Sequence, residues 1–228
     1  MSILTSFAQL YDKTQNPAFA NYTRNVGSFE VNEHDGKAST KHLLVELPGA
    51  EFVSFNHQLV KGMADCTTKR SSFLQDSDCD GITFMSVGGN PGLVLCELKS
   101  KFSTQKIFEA FGQMTFSFLK MHAMLSLCED YSIDDISLHF IAACQRFEDK
   151  EQEDGVYTRL DKVEKVDGGS FEGRFIRKLI EHHDLRVKFG DVAEIYQLPL
   201  NAELMSKELK MSLKVTANFG DSSLVYTY

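Results

Sequence analysis

Three charged residues with a spacing suited to metal-dependent chemistry lie between positions 80 and 99. Asp80 precedes a run of apolar residues, and Glu97 and Lys99 end the next such run. Side chains two residues apart on a strand share a face, so Glu97 and Lys99 are expected to point the same way. If the two runs form a hairpin, Asp80, at the start of the first run, lies beside the end of the second run. The pattern predicts two carboxyl groups and an ammonium group at one end of a buried sheet.

Two carboxylates held close together raise each other's pKa or require a cation. Mg²⁺ or Mn²⁺ would suit them, because hard divalent cations favour oxygen ligands. Such a cation polarises a phosphate and activates a water, and a neighbouring lysine offsets the charge that develops. These groups are the ones that phosphodiester hydrolysis requires. Two alternatives stay open: Asp78 could replace Asp80, or Glu97 and Lys99 could form an exposed ion pair with no chemical role.

The elements that must position these residues are the clearest part of the sequence. The runs Ile82–Val87 and Leu93–Leu98 predict a hairpin, and the glycine-rich stretch between them predicts a loop of about five residues. Strands this apolar on both faces are typical of the centre of a covered sheet. Apolar residues at gaps of three and four predict a helix over Gln105–Leu127, and Ile136–Cys144 is a further buried strand.

The remaining sequence gives weaker signals for secondary structure. We predict short strands at Lys41–Leu47 and Glu51–Phe55, around a Pro-Gly pair, and further strands at Leu185–Phe189 and Asp191–Gln197. Helices are predicted at Ser2–Tyr11, Phe171–His183 and Ala202–Leu213. Residues 12–40 are polar and show little periodicity, and residues 148–154 form an acidic stretch. We interpret residues 1–228 as one α/β domain, with a core at about 40–145 and a C-terminal extension at about 150–228.

The motif resembles that of the PD-(D/E)XK nuclease superfamily, which includes restriction endonucleases, Holliday-junction resolvases and RecB-like nucleases. Asp80-Gly81-Ile82 is followed, after sixteen residues, by Glu97-Leu98-Lys99-Ser100. The resemblance implies a restriction-endonuclease-like core, a mixed central sheet flanked by helices in the order α-β-β-β-α-β. It also implies that Asp80 and Glu97 bind the metal and that Lys99 is the catalytic lysine. Gln113, fourteen residues after Lys99, matches a catalytic glutamine that some branches carry on the next helix.

The sequence departs from the pattern of the superfamily at three points. Cys79 stands where many members have proline before the aspartate. The fourth residue after Gln113 is Ser117, where the RecB-like motif has tyrosine. Some members carry a further acid on the first helix or strand, and Glu46 and Glu51 are the candidates here.

Composition limits the class of protein. The net charge of −8 and pI near 5.4 argue against a protein that coats nucleic acid through bulk charge. A nuclease would need a local positive patch, for which the candidates are Lys99, Lys101, Lys106, Arg174, Arg177, Lys178, Arg186 and Lys188. Five cysteines without CxxC spacing favour neither a zinc ribbon nor a disulfide framework. No signal peptide or stretch of ~20 apolar residues is found, so we expect a cytoplasmic protein without membrane contact.

We therefore expect a nuclease that uses Mg²⁺ or Mn²⁺ and acts on DNA rather than RNA, in bacterial defence, repair or mobile-element biology. The alternative is a non-catalytic nucleic-acid-binding or assembly module on the same fold. A homo-oligomer and a partner protein are both compatible with the sequence. We interpret His182-His183 as the surface of a helix end rather than a metal site, because no third ligand is evident.

Overall fold

The computed structural model describes residues 3, 6–7, 25–33, 42–56, 58–61, 78–100, 104–144, 184–215 and 223–225. The strands are β1 (Asn25–Asn32), β2 (His42–Asn56), β3 (Gly81–Val87), β4 (Asn90–Lys99), β5 (Ser137–Cys144), β6 (Asp184–Lys188), β7 (Glu208–Val215) and β8 (Ser223–Val225). The helices are α1 (Gln58–Lys61), α2 (Thr104–Leu125), α3 (Phe189–Ile195) and α4 (Ala202–Ser206).

The strands form one mixed sheet in the order β1-β2-β3-β4-β5-β7-β6, and β8 pairs with β2. β1 to β4 pair antiparallel in succession, whereas β5 is parallel to both β4 and β7. A parallel neighbour requires a crossover connection, and α2 forms part of the one between β4 and β5. The expected α/β fold with a mixed sheet flanked by helices is confirmed. The C-terminal strands β6 and β7 extend the sheet that contains the hairpin.

One face of the sheet packs against α2 and α3. The helix residues Ile107, Met114, Phe118 and Phe189 share a buried cluster with alternate residues of β3, β4, β5 and β7. Since Leu93 and Leu95 belong to this cluster, Glu97 lies on the same face, towards the helices.

The opposite face is covered by the sheet itself, because β1 and the first half of β2 curl over β4 and β5 and share a second cluster with them. β2 bends at the Pro48-Gly49 pair, where Gly49 has φ of 75°, and the part of β2 before this pair belongs to the curl. It brings Val31 so close to Gly81 that a Cβ atom on Gly81 would lie 2.8 Å from Val31 Cγ2. The two short strands predicted around Pro48-Gly49 are therefore one bent strand.

The predicted hairpin is present, but its turn is shorter than the expected loop of about five residues. Val87 pairs with Asn90, so the turn contains only Gly88 and Gly89. Their φ angles are 57° and 91°, and two positive φ values suit the tight turns that match strand twist. The Asn-Pro-Gly part of the stretch belongs to β4.

Two predictions for the C-terminal region were wrong. Asp191–Gln197 was expected to be a strand, but α3 spans most of it, and the Asp191 carboxylate accepts the Lys188 N–H at 3.2 Å across its first turn. Ala202–Leu213 was expected to be a helix, but α4 ends at Ser206 and β7 follows.

The other predicted elements stand as follows. The helix over Gln105–Leu127 and the strand Ile136–Cys144 are confirmed within two residues as α2 and β5, and Leu185–Phe189 corresponds to β6. Of Ser2–Tyr11, the structure describes only residues 3, 6 and 7, which are helical. Phe171–His183 lies outside the described residues. In the described part of the chain, no helix is long and apolar enough to cross a membrane.

Candidate active site

The carboxyl groups of Asp80 and Glu97 meet where β3 begins and β4 ends. Gly81 pairs with Cys96, which places Asp80 beside the last residues of β4. The backbone N–H of Leu98 donates to Asp80 Oδ2 at 2.8 Å, and the N–H of Asp80 donates to Glu97 Oε2 at 3.2 Å. Each carboxyl group thus accepts a hydrogen bond from a backbone N–H, that of Glu97 from Asp80 and that of Asp80 from the residue after Glu97.

Lys99 completes the group from the same strand face as Glu97. Its Nζ donates to Glu97 Oε1 and, at 2.5 Å, to Oε1 of Gln113 on α2. The Glu97 side chain is 3% exposed and that of Lys99 17%. The pair is therefore not the exposed ion pair considered as the alternative. The structure brings together the four residues selected from the sequence, Asp80, Glu97, Lys99 and Gln113.

Burial sets the electrostatics of the carboxyl pair. Burial, and to a smaller extent the charge of Glu33, raise the pKa of Asp80 to about 7 against the opposing effects of the Leu98 hydrogen bond and of Lys99. Burial, and then the charge of Asp80, raise the pKa of Glu97 to about 8 against the opposing effect of Lys99. Because the two groups interact, their protons leave in two steps that belong to the pair.

Asp78, the rival for the role of Asp80, is used elsewhere. Its carboxylate is ion-paired with Lys120 of α2 and accepts a hydrogen bond from Ser117 Oγ at 3.4 Å. The side chains of Asp78 and Lys120 are only 2% and 3% exposed. The carboxyl that reaches Glu97 is therefore that of Asp80.

Glu33 is a third acidic residue near the site, and sequence reasoning missed it. It follows β1 and is half-buried, and its charge raises the pKa of both Asp80 and Glu97. The candidates for a further acid were Glu46 and Glu51, which lie on β2 opposite Ser28 and Ser86. No sequence signal identified Glu33, because its proximity depends on the curl of β1 over the sheet.

The donor set suits a small hard cation. Among the residues that the structure describes, no group of three or more His, Cys, Asp or Glu side chains is placed to hold a metal ion. Mg²⁺ commonly uses one or two carboxylates, with waters and substrate phosphates as its other ligands. Asp80 and Glu97 fit that pattern, whereas zinc, with four nitrogen or sulfur ligands in structural sites, does not.

The predicted positive patch is described only in part. Arg186 and Lys188 are exposed on β6, on the sheet face opposite to Glu97. In the register of the strands, Arg186 lies opposite Lys210, and Lys210 lies opposite His139. Burial, and then the charges of Lys210 and Arg186, together lower the pKa of His139 to about 4. The three residues lie in a row across β5, β7 and β6, in which Arg186 and Lys210 carry the charge and His139 is buried and neutral.

The other patch candidates are separate from this row. Lys106 is exposed on α2 and is ion-paired with Glu109. Lys101, Arg174, Arg177 and Lys178 lie outside the described residues, as do His182 and His183.

Comparisons of the chain with protein-family models, with curated proteins and with solved structures found no match.

Proposed function

We propose that this chain is a nuclease of the PD-(D/E)XK type that hydrolyses phosphodiester bonds in DNA with the help of Mg²⁺ or Mn²⁺. The observation that supports it is the carboxyl pair of the half-buried Asp80 and the buried Glu97, with the Lys99 ammonium group beside it. Two ionised carboxylates are costly at such a position unless a cation compensates their charge. A divalent ion would replace the protons that the raised pKa values now retain.

Each residue has a role that follows from its contacts. Asp80 and Glu97 would hold the cation, which when bound supplies charge to polarise the phosphate and activate water. Lys99 would place its ammonium group against the negative charge that develops on the phosphate. Gln113 accepts a hydrogen bond from Lys99 and donates to the Asp78 carbonyl at 3.5 Å, and would therefore orient the lysine.

The order of elements also supports the proposal. Apart from the short helix α1 between β2 and β3, the described elements from β2 to β5 follow the β-β-β-α-β order that the resemblance implies. Asp80 directly precedes β3, Glu97 and Lys99 lie on β4, and Gln113 lies on α2. A shared order of elements is a fold-level analogy, so the chemical part of the proposal rests on the site.

A cleavage assay tests the proposal directly. Linear and supercoiled DNA and single-stranded RNA are incubated with the wild-type protein and Mg²⁺, Mn²⁺ or EDTA, in parallel with Glu97→Gln. We expect DNA cleavage with either metal, none with EDTA, and loss of cleavage in Glu97→Gln. Glu129→Gln is the matched control, because it makes the same change at an exposed glutamate in the turn that follows α2. Cleavage that persists in EDTA or in Glu97→Gln would contradict the proposal.

A non-catalytic nucleic-acid-binding module is the second candidate. It is favoured by the engagement of Lys99 with both Glu97 and Gln113, since a closed network of this kind could serve structure alone. Binding of DNA without cleavage under any metal condition would select it.

A further inference from the structure

A stripe of polar residues runs along α2, a helix whose buried face is otherwise apolar. Gln113, Ser117 and Lys120 are spaced by four and three residues, which places them within about 60° of one another around a helix. Ser117 is fully buried and Lys120 is 3% exposed. Burying an amine and a hydroxyl in a core is costly unless both have partners.

Each residue of the stripe contacts one short segment, residues 78–80, which leads into β3, and Gln113 also accepts the hydrogen bond from Lys99. Ser117 accepts the backbone N–H of Cys79 at 3.0 Å and donates to the Asp78 carboxylate. Lys120 forms the ion pair with the same carboxylate, and Gln113 donates to the Asp78 carbonyl. The segment is thereby anchored to α2 by its backbone and by its first side chain.

The far end of the segment is anchored to β4 instead. The N–H of Asp80 binds Glu97, and the carboxyl of Asp80 accepts the N–H of Leu98. The position of this carboxyl relative to Glu97 is therefore fixed from two sides. A buried ion pair such as Asp78–Lys120 is weak as a source of stability, since apolar residues of similar volume often serve as well or better. In some proteins such a pair contributes a defined geometry instead.

We propose that Ser117 and Lys120 are positioning residues that hold the segment 78–80 against α2, so that Asp80 and Glu97 can bind one divalent cation together. The inference rests on the proposed function, because it concerns the metal pair of that site. Neither residue touches the pair itself in the hydrogen bonds described above, and both act through Asp78 and Cys79.

The test uses an apolar replacement of the buried pair, Asp78→Leu/Lys120→Met, compared with wild type and with Lys120→Arg, which retains the cation. Ser117→Ala is a second, milder variant that keeps the ion pair. Thr115→Val is the matched control, because Thr115 is buried on the same helix but donates to Phe111 O within it. Mn²⁺ affinity is measured by calorimetry, thermal unfolding is recorded, and amide hydrogen exchange is followed by NMR.

We expect the double variant to unfold near the wild-type temperature but to bind Mn²⁺ at least about tenfold more weakly. Exchange should accelerate at the amides of Cys79, Asp80 and Leu98, while Leu95 stays protected, because local opening is confined to the segment. Ser117→Ala should show a smaller effect of the same kind, and Lys120→Arg and Thr115→Val should resemble wild type.

Mn²⁺ affinity and exchange at wild-type values in both the double variant and Ser117→Ala would overturn the inference. Faster exchange with unchanged Mn²⁺ affinity would also overturn it, because the anchor would then not serve the metal pair. If the wild-type protein binds no Mn²⁺ at all, the proposed function fails, and with it the metal part of the inference. The exchange pattern still decides separately whether the two residues anchor the segment.

Discussion

Lys99 lies between two acceptors, the carboxyl of Glu97 and the side-chain oxygen of Gln113. A lysine held in this way loses little further freedom when negative charge develops beside it. Preorganised charges act most strongly in sites that exclude water, and the Glu97 side chain is almost fully buried. The geometry favours an effect on the rate of reaction over an effect on ground-state binding.

Replacing Lys99 by alanine is expected to reduce DNA cleavage by on the order of 100–1000-fold while leaving DNA affinity nearly unchanged. The reason is that a group acting mainly in the transition state contributes to kcat more than to substrate affinity. Single-turnover cleavage and equilibrium binding are measured for Lys99→Ala and for Lys106→Ala, an exposed lysine of α2. Equal losses of cleavage in the two variants, each accounted for by weaker binding, would reduce Lys99 to a simple phosphate contact.

The alternation of side chains on β4 and the return of the hairpin were sufficient to predict that Asp80, Glu97 and Lys99 lie together. Both are local rules that require no knowledge of the rest of the fold. Their catalytic roles, and that of Gln113, stay predictions. Glu33 could not be found, because its approach depends on the path of β1 over the opposite face of the sheet.

Helices and strands were predicted correctly where a long buried face gives a regular spacing of apolar residues. They were predicted wrongly where several short elements follow one another. β3, β4, α2 and β5 have long apolar patterns and were recognised. In the C-terminal region, α3 has only seven residues, too few for its period to be distinguished from that of a strand. Leu209, Met211 and Leu213 are alternate residues of β7 that point into the core. The helix predicted at Ala202–Leu213 wrongly included them.

Gly81 is the point at which the curled part of the sheet touches the hairpin. In Gly81→Ala the new Cβ would lie 2.8 Å from Val31 Cγ2, and a β-branched neighbour is stiff at χ1. We expect the free energy of unfolding to fall by about 1–3 kcal/mol, as for other overpacked cores. Chemical denaturation measures it, and Val31→Ala in the same background should restore part of the loss. A double variant no more stable than Gly81→Ala would show that the contact is not the cause.

Arg186 and Lys210, the charged residues of the row on β5, β7 and β6, are expected to contact the DNA backbone in the proposed nuclease. Arg186→Gln should weaken DNA binding and reduce the salt dependence of the affinity by about one released counterion. It should also raise the melting temperature slightly, because Arg186 and Lys210 are like charges directly opposite each other. Fluorescence anisotropy across a salt series and thermal unfolding measure the two effects.

Lys188→Gln is the matched control for Arg186→Gln. Lys188 is also exposed on β6 and on the same face, but it lies opposite Glu208, so the local charge is offset. We expect a smaller loss of affinity and no gain in melting temperature. Identical behaviour of the two variants would mean that the row is not a distinct binding surface.

Two of the acidic residues that give the chain its net charge of −8, Asp80 and Glu97, are withdrawn from water on folding, Asp80 in part and Glu97 almost fully. Folding raises the pKa of both groups above the values of about 3.8 and 4.5 for free side chains. Between those values and about pH 8 the folded protein therefore binds more protons than the unfolded chain. This pair opposes folding increasingly as the pH rises through that window.

Divalent metal should reverse this effect, which makes stability a readout of the site that does not depend on cleavage. Without metal, we expect the wild-type melting temperature to fall from about pH 5 to about pH 8 more steeply than that of Glu97→Gln, which lacks one titrating group. Mn²⁺ should stabilise the wild type more at pH 8 than at pH 5, because the ligands must lose their protons to bind it. In Glu97→Gln the stabilisation by Mn²⁺ should be largely lost. Scanning calorimetry at both pH values, with Mn²⁺ or EDTA, measures all of these differences. The same pH dependence in both proteins, unaffected by Mn²⁺, would mean that Asp80 and Glu97 neither titrate in this range nor bind the metal.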